Sequence, residues 1–213
     1  MNQYVYTVEA ARLAMFQERD ALEEEILPQH FAYIHQLVDD KIAILAGALS
    51  VLDSQHFGIV FFQAEDDAAA KTILHNDPAV KNRIMRACLY PHSMSLWNSD
   101  ALILEEGQQH FFYKIRPVRP EMISEQFTEF EGNTMGEHFM YLKGLTEKGI
   151  FALAGPTLVA DNSNFGAGLL RADSIEAAWE IGSNDPAVIK RVMRLDIHPF
   201  SVTGFDETFA VSG

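Results

Sequence analysis

Histidine and aspartate, which together can move protons, occur in this chain as two candidate pairs. His30 and Asp77 form the first pair, and their counterparts 108 residues later are His138 and Asp185. An imidazole whose orientation and tautomer are set by a carboxylate can act as a general base near neutral pH. We therefore predict these four residues as the catalytic residues of an acid–base site.

Each of these residues also has an explanation that needs no chemistry. A histidine on the inward face of a helix can be a buried hydrogen-bonding residue, and shared descent can account for its presence in both copies. In Asn-Asp-Pro-Ala-Val, found at 76–80 and 184–188, the aspartate before proline is the expected N-cap of a short helix. A carboxylate can cap a helix and also face a pocket, so both explanations stay open.

A second set of residues is predicted to bind the substrate. Tyr33 and Tyr141 each lie three positions after a candidate histidine and so share its helix face. Arginines flank the last strand of each copy and could hold a carboxylate or a phenolate, although a solvated charge or a salt bridge is the ordinary explanation. The predicted substrate-binding residues are Tyr33, Tyr141, Arg83, Arg86, Arg191, Arg194 and Pro156.

All of these residues except Pro156 recur, because the chain is a tandem duplication. His-Phe-Ala-Tyr at 30–33 returns as His-Phe-Met-Tyr at 138–141, and Asn-Asp-Pro-Ala-Val returns at the same offset of 108 without a gap. Before the histidine, the two copies have diverged almost completely. The predicted segments are a first repeat at 1–98, a connection at 99–108, a second repeat at 109–206 and a tail at 207–213.

Each copy has the pattern βαββαβ. A β-rich run comes first (3–8 and 111–118), followed by a long helix that carries the histidine on its apolar face. A hairpin, an Ala-rich helix, a small helical turn and a last strand complete the copy. In the first copy the hairpin strands are predicted at 42–52 and 57–62, and the last strand at 84–97. This order is the ferredoxin-like arrangement, an antiparallel sheet with both helices on one face.

The other face of such a sheet needs a cover, which two tandem copies can provide by packing sheet against sheet. We therefore predict an α+β protein with two ferredoxin-like βαββαβ repeats that form an intramolecular dimeric α+β barrel. The protein would be a pseudo-dimer within one chain, and further homo-oligomerisation stays open.

The composition excludes several classes of protein. Thirty acidic and sixteen basic residues give a net charge of −14, the wrong sign for binding a phosphate backbone. Cys88 is the single cysteine, so neither an intrachain disulfide nor a thiolate metal cluster can form. The chain starts without a signal-peptide pattern and has no apolar run of roughly 18 residues. We expect a cytoplasmic protein with a small-molecule ligand and without nucleic-acid or membrane partners, cofactor or metal.

Several motifs in order resemble the YCII (YciI-like) family. The second copy carries His-x-x-Tyr-Leu-x-x-Leu, Gly-Ile-x-x-Leu-Ala-Gly-Pro, Ser-x-Glu-x-Ala, Asn-Asp-Pro-Ala and a final His-Pro-Phe. The first copy matches more loosely, with Ala48 in place of the proline and Tyr90 in place of the final histidine. The resemblance implies a dimeric α+β barrel and an active site on the family's His and Asp, which fall on His138 with Asp185 and on His30 with Asp77.

The resemblance implies less about the reaction. Characterised relatives of this barrel include dehydrochlorinases and lactone isomerases that act on ring metabolites, generally without a metal. We therefore expect a cofactor-free His/Asp acid–base enzyme, of lyase or isomerase type, acting on a small metabolite that is cyclic or bears a carbonyl group. The alternative is a non-catalytic protein that binds or sequesters a small molecule in the same pocket. A haem-using or oxygen-using enzyme is a third hypothesis and predicts a coloured protein.

Overall fold

The computed structural model describes residues 1–50, 57–124 and 127–211. It contains two compact units: the first comprises Met1–His92 and Ser201–Phe209, and the second contains Ser93–Phe200. The units differ from the sequence repeats at their ends: residues 93–98 of the first repeat belong to the second unit, and residues 201–206 of the second repeat belong to the first unit. Over the described ranges, every helix is too short or too polar to cross a membrane.

The first unit is an antiparallel sheet with helices. Its elements are β1 (Asn2–Ala10), a 3₁₀ turn (Leu13–Phe16), α1 (Ala21–Asp39), β2 (Ala43–Leu49), β3 (Gly58–Ala64), α2 (Asp67–Asn76), α3 (Pro78–Lys81) and β4 (Met85–His92). The strands lie in the order β4-β1-β3-β2, and the C-terminal part of a ninth strand lies beside β2.

The second unit has the same order of elements and one extra short strand. Its elements are β5 (Leu96–Trp97), a 3₁₀ turn (Ser99–Leu102), β6 (Gln109–Pro117), α4 (Glu121–Ser124), α5 (Glu129–Glu147), β7 (Phe151–Pro156), β8 (Gly166–Ala172), α6 (Ile175–Ser183), α7 (Pro186–Ile189) and β9 (Met193–Phe205). The strands lie in the order β9-β6-β8-β7-β5. The α+β class and the two ferredoxin-like βαββαβ repeats are thus confirmed.

One predicted element differs from the structure. The single strand predicted at 84–97 is divided into β4 and β5, because the chain leaves β1 after His92 and pairs with β7 instead. Ser93 N donates to Pro156 O at 3.0 Å and Ser95 N donates to Ala154 O at 2.9 Å. Of the strand predicted at 42–52, the structure places Ala43–Leu49, and positions 51 and 52 lie outside the described residues.

Strand alternation decides which side chains lie beneath the helices. In β1, Tyr4, Tyr6 and Val8 belong to the core that includes Ile26, Leu27 and Ile34 of α1. In β6, Phe111, Tyr113 and Ile115 occupy the corresponding core with Leu142 of α5. Side chains two apart on a strand share a face, so one tyrosine of each first strand is held under the long helix.

The two long helices begin with the same device. Asp20 and Glu23 form a capping box at the start of α1, and Thr128 and Glu131 form one at the start of α5. In each unit an arginine that follows the first strand, Arg12 or Arg119, pairs with the capping-box glutamate. The guanidinium of Arg119 lowers the pKa of Glu131 to about 2. These pairs hold the N-terminal end of the helix that carries the histidine.

Candidate functional site

The second unit brings His138 and Asp185 into direct contact. His138 lies on α5, and Asp185 lies immediately before α7. The distance between His138 Nδ1 and the Asp185 carboxylate is 2.7 Å, and the carboxylate is fully buried. A carboxylate at this distance favours the tautomer with the proton on Nδ1, which leaves Nε2 as the proton acceptor.

Asp185 also caps a helix, as the sequence suggested. Its other carboxylate oxygen accepts from Ala187 N at 2.8 Å, and Pro186 is the first residue of α7. The two explanations offered for this aspartate therefore hold together. The cap fixes the carboxylate against the backbone, and that fixed carboxylate orients the imidazole.

Tyr113 is a third member of this group. Its hydroxyl donates to Asp185 Oδ2 at 2.7 Å, the same oxygen that contacts His138. Burial, followed by the charge of Asp185, raises the pKa of Tyr113 well above its ordinary value. Tyr113 therefore keeps its proton and acts as a permanent hydrogen-bond donor to the aspartate.

The first unit contains the equivalent group. His30 Nδ1 lies 2.7 Å from Asp77 Oδ1, which also accepts from Ala79 N at 2.9 Å. The Tyr6 hydroxyl lies 3.4 Å from the other oxygen of Asp77, longer than the corresponding bond in the second unit. The predicted His–Asp pairs are thus each brought together within one unit.

The two tyrosines escaped prediction because the repeat is out of register at that point. Tyr6 and Tyr113 are 107 residues apart, whereas the histidines are 108 apart. The second copy has one more residue between Arg119 and Thr128 than the first copy has between Arg12 and Asp20. Comparison at an offset of 107 before the helix would have aligned both the tyrosines and the arginines.

His138 lines a cavity of about 360 Å³ in the second unit. The cavity lies among α5, β6, β7 and β8, and its described lining is mostly apolar. The residues are Ser95, Leu96, Tyr113, Ile115, Met122, Ile123, Phe127, Met135, His138, Phe139, Leu142, Ala154, Gly155, Pro156, Asn164, Gly166, Ala167 and Met193. An apolar cavity of this size with few polar groups is typical of a small-molecule site.

Gly155 shapes one wall of this cavity. A Cβ at this position would lie 1.9 Å from the carbonyl oxygen of Ser93. The glycine therefore allows the segment that carries Ser95 and Leu96 to lie against β7 and complete the cavity. Pro156, predicted as a substrate-binding residue, is also part of the lining.

The predicted tyrosines have hydrogen-bond partners of their own. The Tyr141 hydroxyl donates to the carbonyl oxygen of Ile181 at 2.7 Å, and the Tyr33 hydroxyl donates to that of Ile73 at the same distance. Each bond joins the long helix to the second helix of its unit. Burial raises the pKa of Tyr33 to about 12, and burial also raises the pKa of Tyr141.

The predicted arginines are placed in three different settings. Arg83 and Arg191 have φ values of 60° and 57° and occupy the left-handed position after α3 and α7. Arg86 forms an exposed ion pair with Glu9 at 3.5 Å. Arg194 lines a separate cavity in the second unit, together with Arg116. That cavity shares Ile123 and Asn164 with the lining of the His138 cavity.

The described residues contain no group of three or more His, Cys, Asp or Glu side chains arranged to hold a metal ion. The titratable side chains in the described lining of the cavity are His138 and Tyr113.

The fold of the chain is similar to that of several solved structures. A candidate monooxygenase from Fusobacterium nucleatum subsp. nucleatum ATCC 25586 matches with a TM-score of 0.59 at 9% identity, over 98% of this chain and 95% of the other. A candidate monooxygenase from Lactobacillus acidophilus NCFM has a TM-score of 0.54 at 8% identity, over 97% and 96%. A heme-binding protein from Thermus thermophilus has a TM-score of 0.51 at 13% identity, over 94% and 90%. At these identities the likeness concerns the fold alone.

The sequence itself is matched by one family model. No curated protein matches the chain. The model of the YCII-related domain matches twice, at residues 4–89 and 118–201, and thus covers both repeats. The chain therefore belongs to the family of proteins with a YCII-related domain, of which it contains two copies.

Proposed function

We propose that the second unit is an acid–base enzyme in which His138 Nε2 removes a proton from a small, carbonyl-bearing molecule. One observation carries this proposal: the Tyr113–Asp185–His138 chain of hydrogen bonds ends at an apolar cavity. Asp185 holds Nδ1, so Nε2 is the ring nitrogen available to a bound molecule.

The reaction would proceed in two proton steps. Nε2 takes a proton from a carbon next to a carbonyl or a leaving group, and the electron pair stays on the substrate. In a lyase that pair forms the new double bond and expels the leaving group, and Nε2 then releases its proton to the departing group or to water. In an isomerase the proton returns from Nε2 to a neighbouring position. Asp185 stabilises the imidazolium that exists between the steps, and Tyr113 and Ala187 N hold Asp185 in place. The apolar lining excludes water and so strengthens these interactions.

The test is proton exchange on ligands found by thermal shift. Lactones, cyclic enones and related ring metabolites are screened for a rise in melting temperature, and each ligand is then incubated with the protein in D₂O. We expect deuterium to enter beside the carbonyl group, and His138→Gln to abolish this exchange while ligand binding persists. His30→Gln is the matched variant in the first unit, and it should keep the exchange because the cavity described above is lined by His138. Binding without exchange by the unmodified protein would favour the binding or sequestration alternative.

A comparison of single and double variants tests whether Asp185 takes part in the reaction. If it acts as one unit with His138, then Asp185→Asn and His138→Gln should each remove most of the activity, and the double variant should be little worse than either. Asn caps a helix about as well as Asp, so retained activity in Asp185→Asn would mean that the residue is only a cap.

Haem is the cofactor that one structural neighbour binds. His138 could offer one nitrogen to an iron, but the described lining of this cavity contains no Lys or Arg. Of the two arginines in the neighbouring cavity, Arg116 is already paired with Asp196, so one available guanidinium would face the two haem propionates. The lining does not fit haem, and no step of the proposed reaction is assigned to it. An absorption spectrum of the purified protein, with and without added haemin, tests this point, because bound haem would give a Soret band.

A further inference from the structure

A second cavity, of about 280 Å³, lies next to the His138 cavity in the second unit. Ile123 and Asn164 line both cavities, so the two are neighbours. The lining of the His138 cavity is largely apolar, whereas the second cavity is lined by the charged side chains Arg116, Arg194 and Asp161. A molecule that reached both cavities would therefore have an apolar part and a charged part.

Arg116 and Arg194 lie directly opposite each other on β6 and β9. Like charges at directly opposite positions of an antiparallel pair are destabilising. Arg116 is compensated in part, because its Nη2 donates to Asp196 Oδ2 at 2.8 Å. Arg194 has no hydrogen bond or ion pair with any of the residues that the structure describes. One guanidinium thus has its donors available for an added partner.

The equivalent strand pair of the first unit joins opposite charges instead of like charges. At the equivalent pair of β1 and β4, Glu9 lies opposite Arg86, and the two form an ion pair at 3.5 Å. The second unit has an arginine where the first has the glutamate. The duplication thereby supplies an internal comparison: one copy neutralises its arginine, and the other places two cations side by side beside a cavity.

Two of the other polar side chains that line the second cavity, Asn164 and Asp161, form hydrogen bonds within the protein, and the third is Asn162. Asn164 Nδ2 donates to the carbonyl oxygens of Thr157 and Val159 at 2.8 and 2.9 Å. Asp161 accepts from the backbone N–H and the hydroxyl of Ser163. The hydrogen bonds from Ser163 lower the pKa of Asp161, so this residue stays a carboxylate and opposes an anion bound beside it. Arg194 and Arg116 supply the positive charge of the cavity, and guanidiniums pair well with carboxylate and phosphate groups.

We propose that the second cavity binds an anionic group, carboxylate or phosphate, of a ligand whose apolar body occupies the His138 cavity. The inference rests on the proposed function, since it defines the substrate class as an apolar carbonyl compound with an anionic group. The arginine pair then selects and orients the ligand, and His138 acts on its other end.

Binding of simple amphiphiles tests the inference without any reaction. The probes are octanoate, octyl phosphate and the uncharged octanamide, used below their micelle concentrations in calorimetry or thermal shift. At least one of the two anions should bind about tenfold or more tightly than octanamide. Acetate and inorganic phosphate lack the apolar body and should bind more weakly than their octyl counterparts. The anion that binds better identifies the preferred group. Equal binding of octanamide and both anions would overturn the proposal.

Variants locate the binding at the arginine pair. Arg194→Gln should weaken binding of the anion about tenfold and leave octanamide unchanged, whereas Arg86→Gln, its matched control, should leave both unchanged. Arg116→Glu places a carboxylate opposite Arg194, as Glu9 lies opposite Arg86 in the first unit, so it should remove the preference for anions. An equal loss in Arg86→Gln and Arg194→Gln would overturn the assignment.

His138→Gln separates this inference from the proposed reaction. It should keep the preference for anions, because the preference depends on the arginines and not on proton transfer. Absence of proton exchange in the unmodified protein would therefore refute the reaction alone. Absence of an anion preference would refute the arginine site alone.

Discussion

Tyr113→Phe removes only the hydroxyl group of Tyr113 and therefore tests the hydrogen bond between this residue and Asp185. Tyr113 is 1% exposed and Asp185 is 0% exposed, so water cannot readily replace the lost donor in Tyr113→Phe. The lost bond is 2.7 Å long and goes to a carboxylate. A hydrogen bond to a charged group contributes about 1.5–3 kcal/mol. We therefore expect Tyr113→Phe to lower the free energy of unfolding by about 2 kcal/mol.

Tyr6→Phe is the matched control for this experiment. The Tyr6 hydroxyl lies 3.4 Å from Asp77, beyond the usual range for an O–H···O bond. Its removal should cost less than about 1 kcal/mol. Thermal unfolding followed by circular dichroism separates the two, because 2 kcal/mol corresponds to a fall of about 4–8 °C for a chain of this size. Equal losses in the two variants, or an unchanged melting temperature for Tyr113→Phe, would refute the role assigned to Tyr113.

Two further predictions concern stability. The low pKa of Glu131 stabilises the fold above about pH 4.5 by about 1–3 kcal/mol, since solvent screens part of the ion pair, and this contribution is lost as the pH falls towards 2. Glu131→Gln should therefore be less stable than the unmodified protein at pH 6, with a difference that shrinks towards pH 2; a constant difference in unfolding free energy would contradict this. Gly155→Ala should cost about 1–3 kcal/mol because its Cβ would meet the Ser93 carbonyl oxygen, whereas Gly136→Ala, in open space on α5, should stabilise the fold by about 0.5–1 kcal/mol in the same melts.

The order of elements was predictable from the sequence because the duplication allows each pattern to be read twice. A weak signal in one copy, such as the cap at Ser174, is supported by its place in the repeat, and Ser174 indeed accepts from Ala177 N at 3.2 Å. The division of the predicted strand at 84–97 was not predictable. Which neighbour a strand pairs with after His92 depends on the close approach of Ser93 to Gly155, and sequence periodicity carries no information about that contact.

The candidate site was predictable in part. His138 and Asp185 stood out because both copies keep them, yet their separation in the sequence does not encode the 2.7 Å between them. Tyr113 resembled an ordinary strand residue, since a buried tyrosine on an alternating strand is expected in any core. Only the hydrogen bond to Asp185 distinguishes it, and that bond depends on where α7 lies beneath α5.

The opposed arginines have a consequence for how this protein could diverge. In a symmetric homodimer every substitution occurs in both subunits, so a costly charge placed at one site is also placed at the other. Here Glu9 and Arg116 occupy equivalent places but are encoded separately, and each can change alone. A single chain can therefore keep one copy as a stable support while the other accepts an unfavourable pair of charges. Fusion of two copies in one chain thus allows the copies to take different roles, which the identical subunits of a homodimer cannot do.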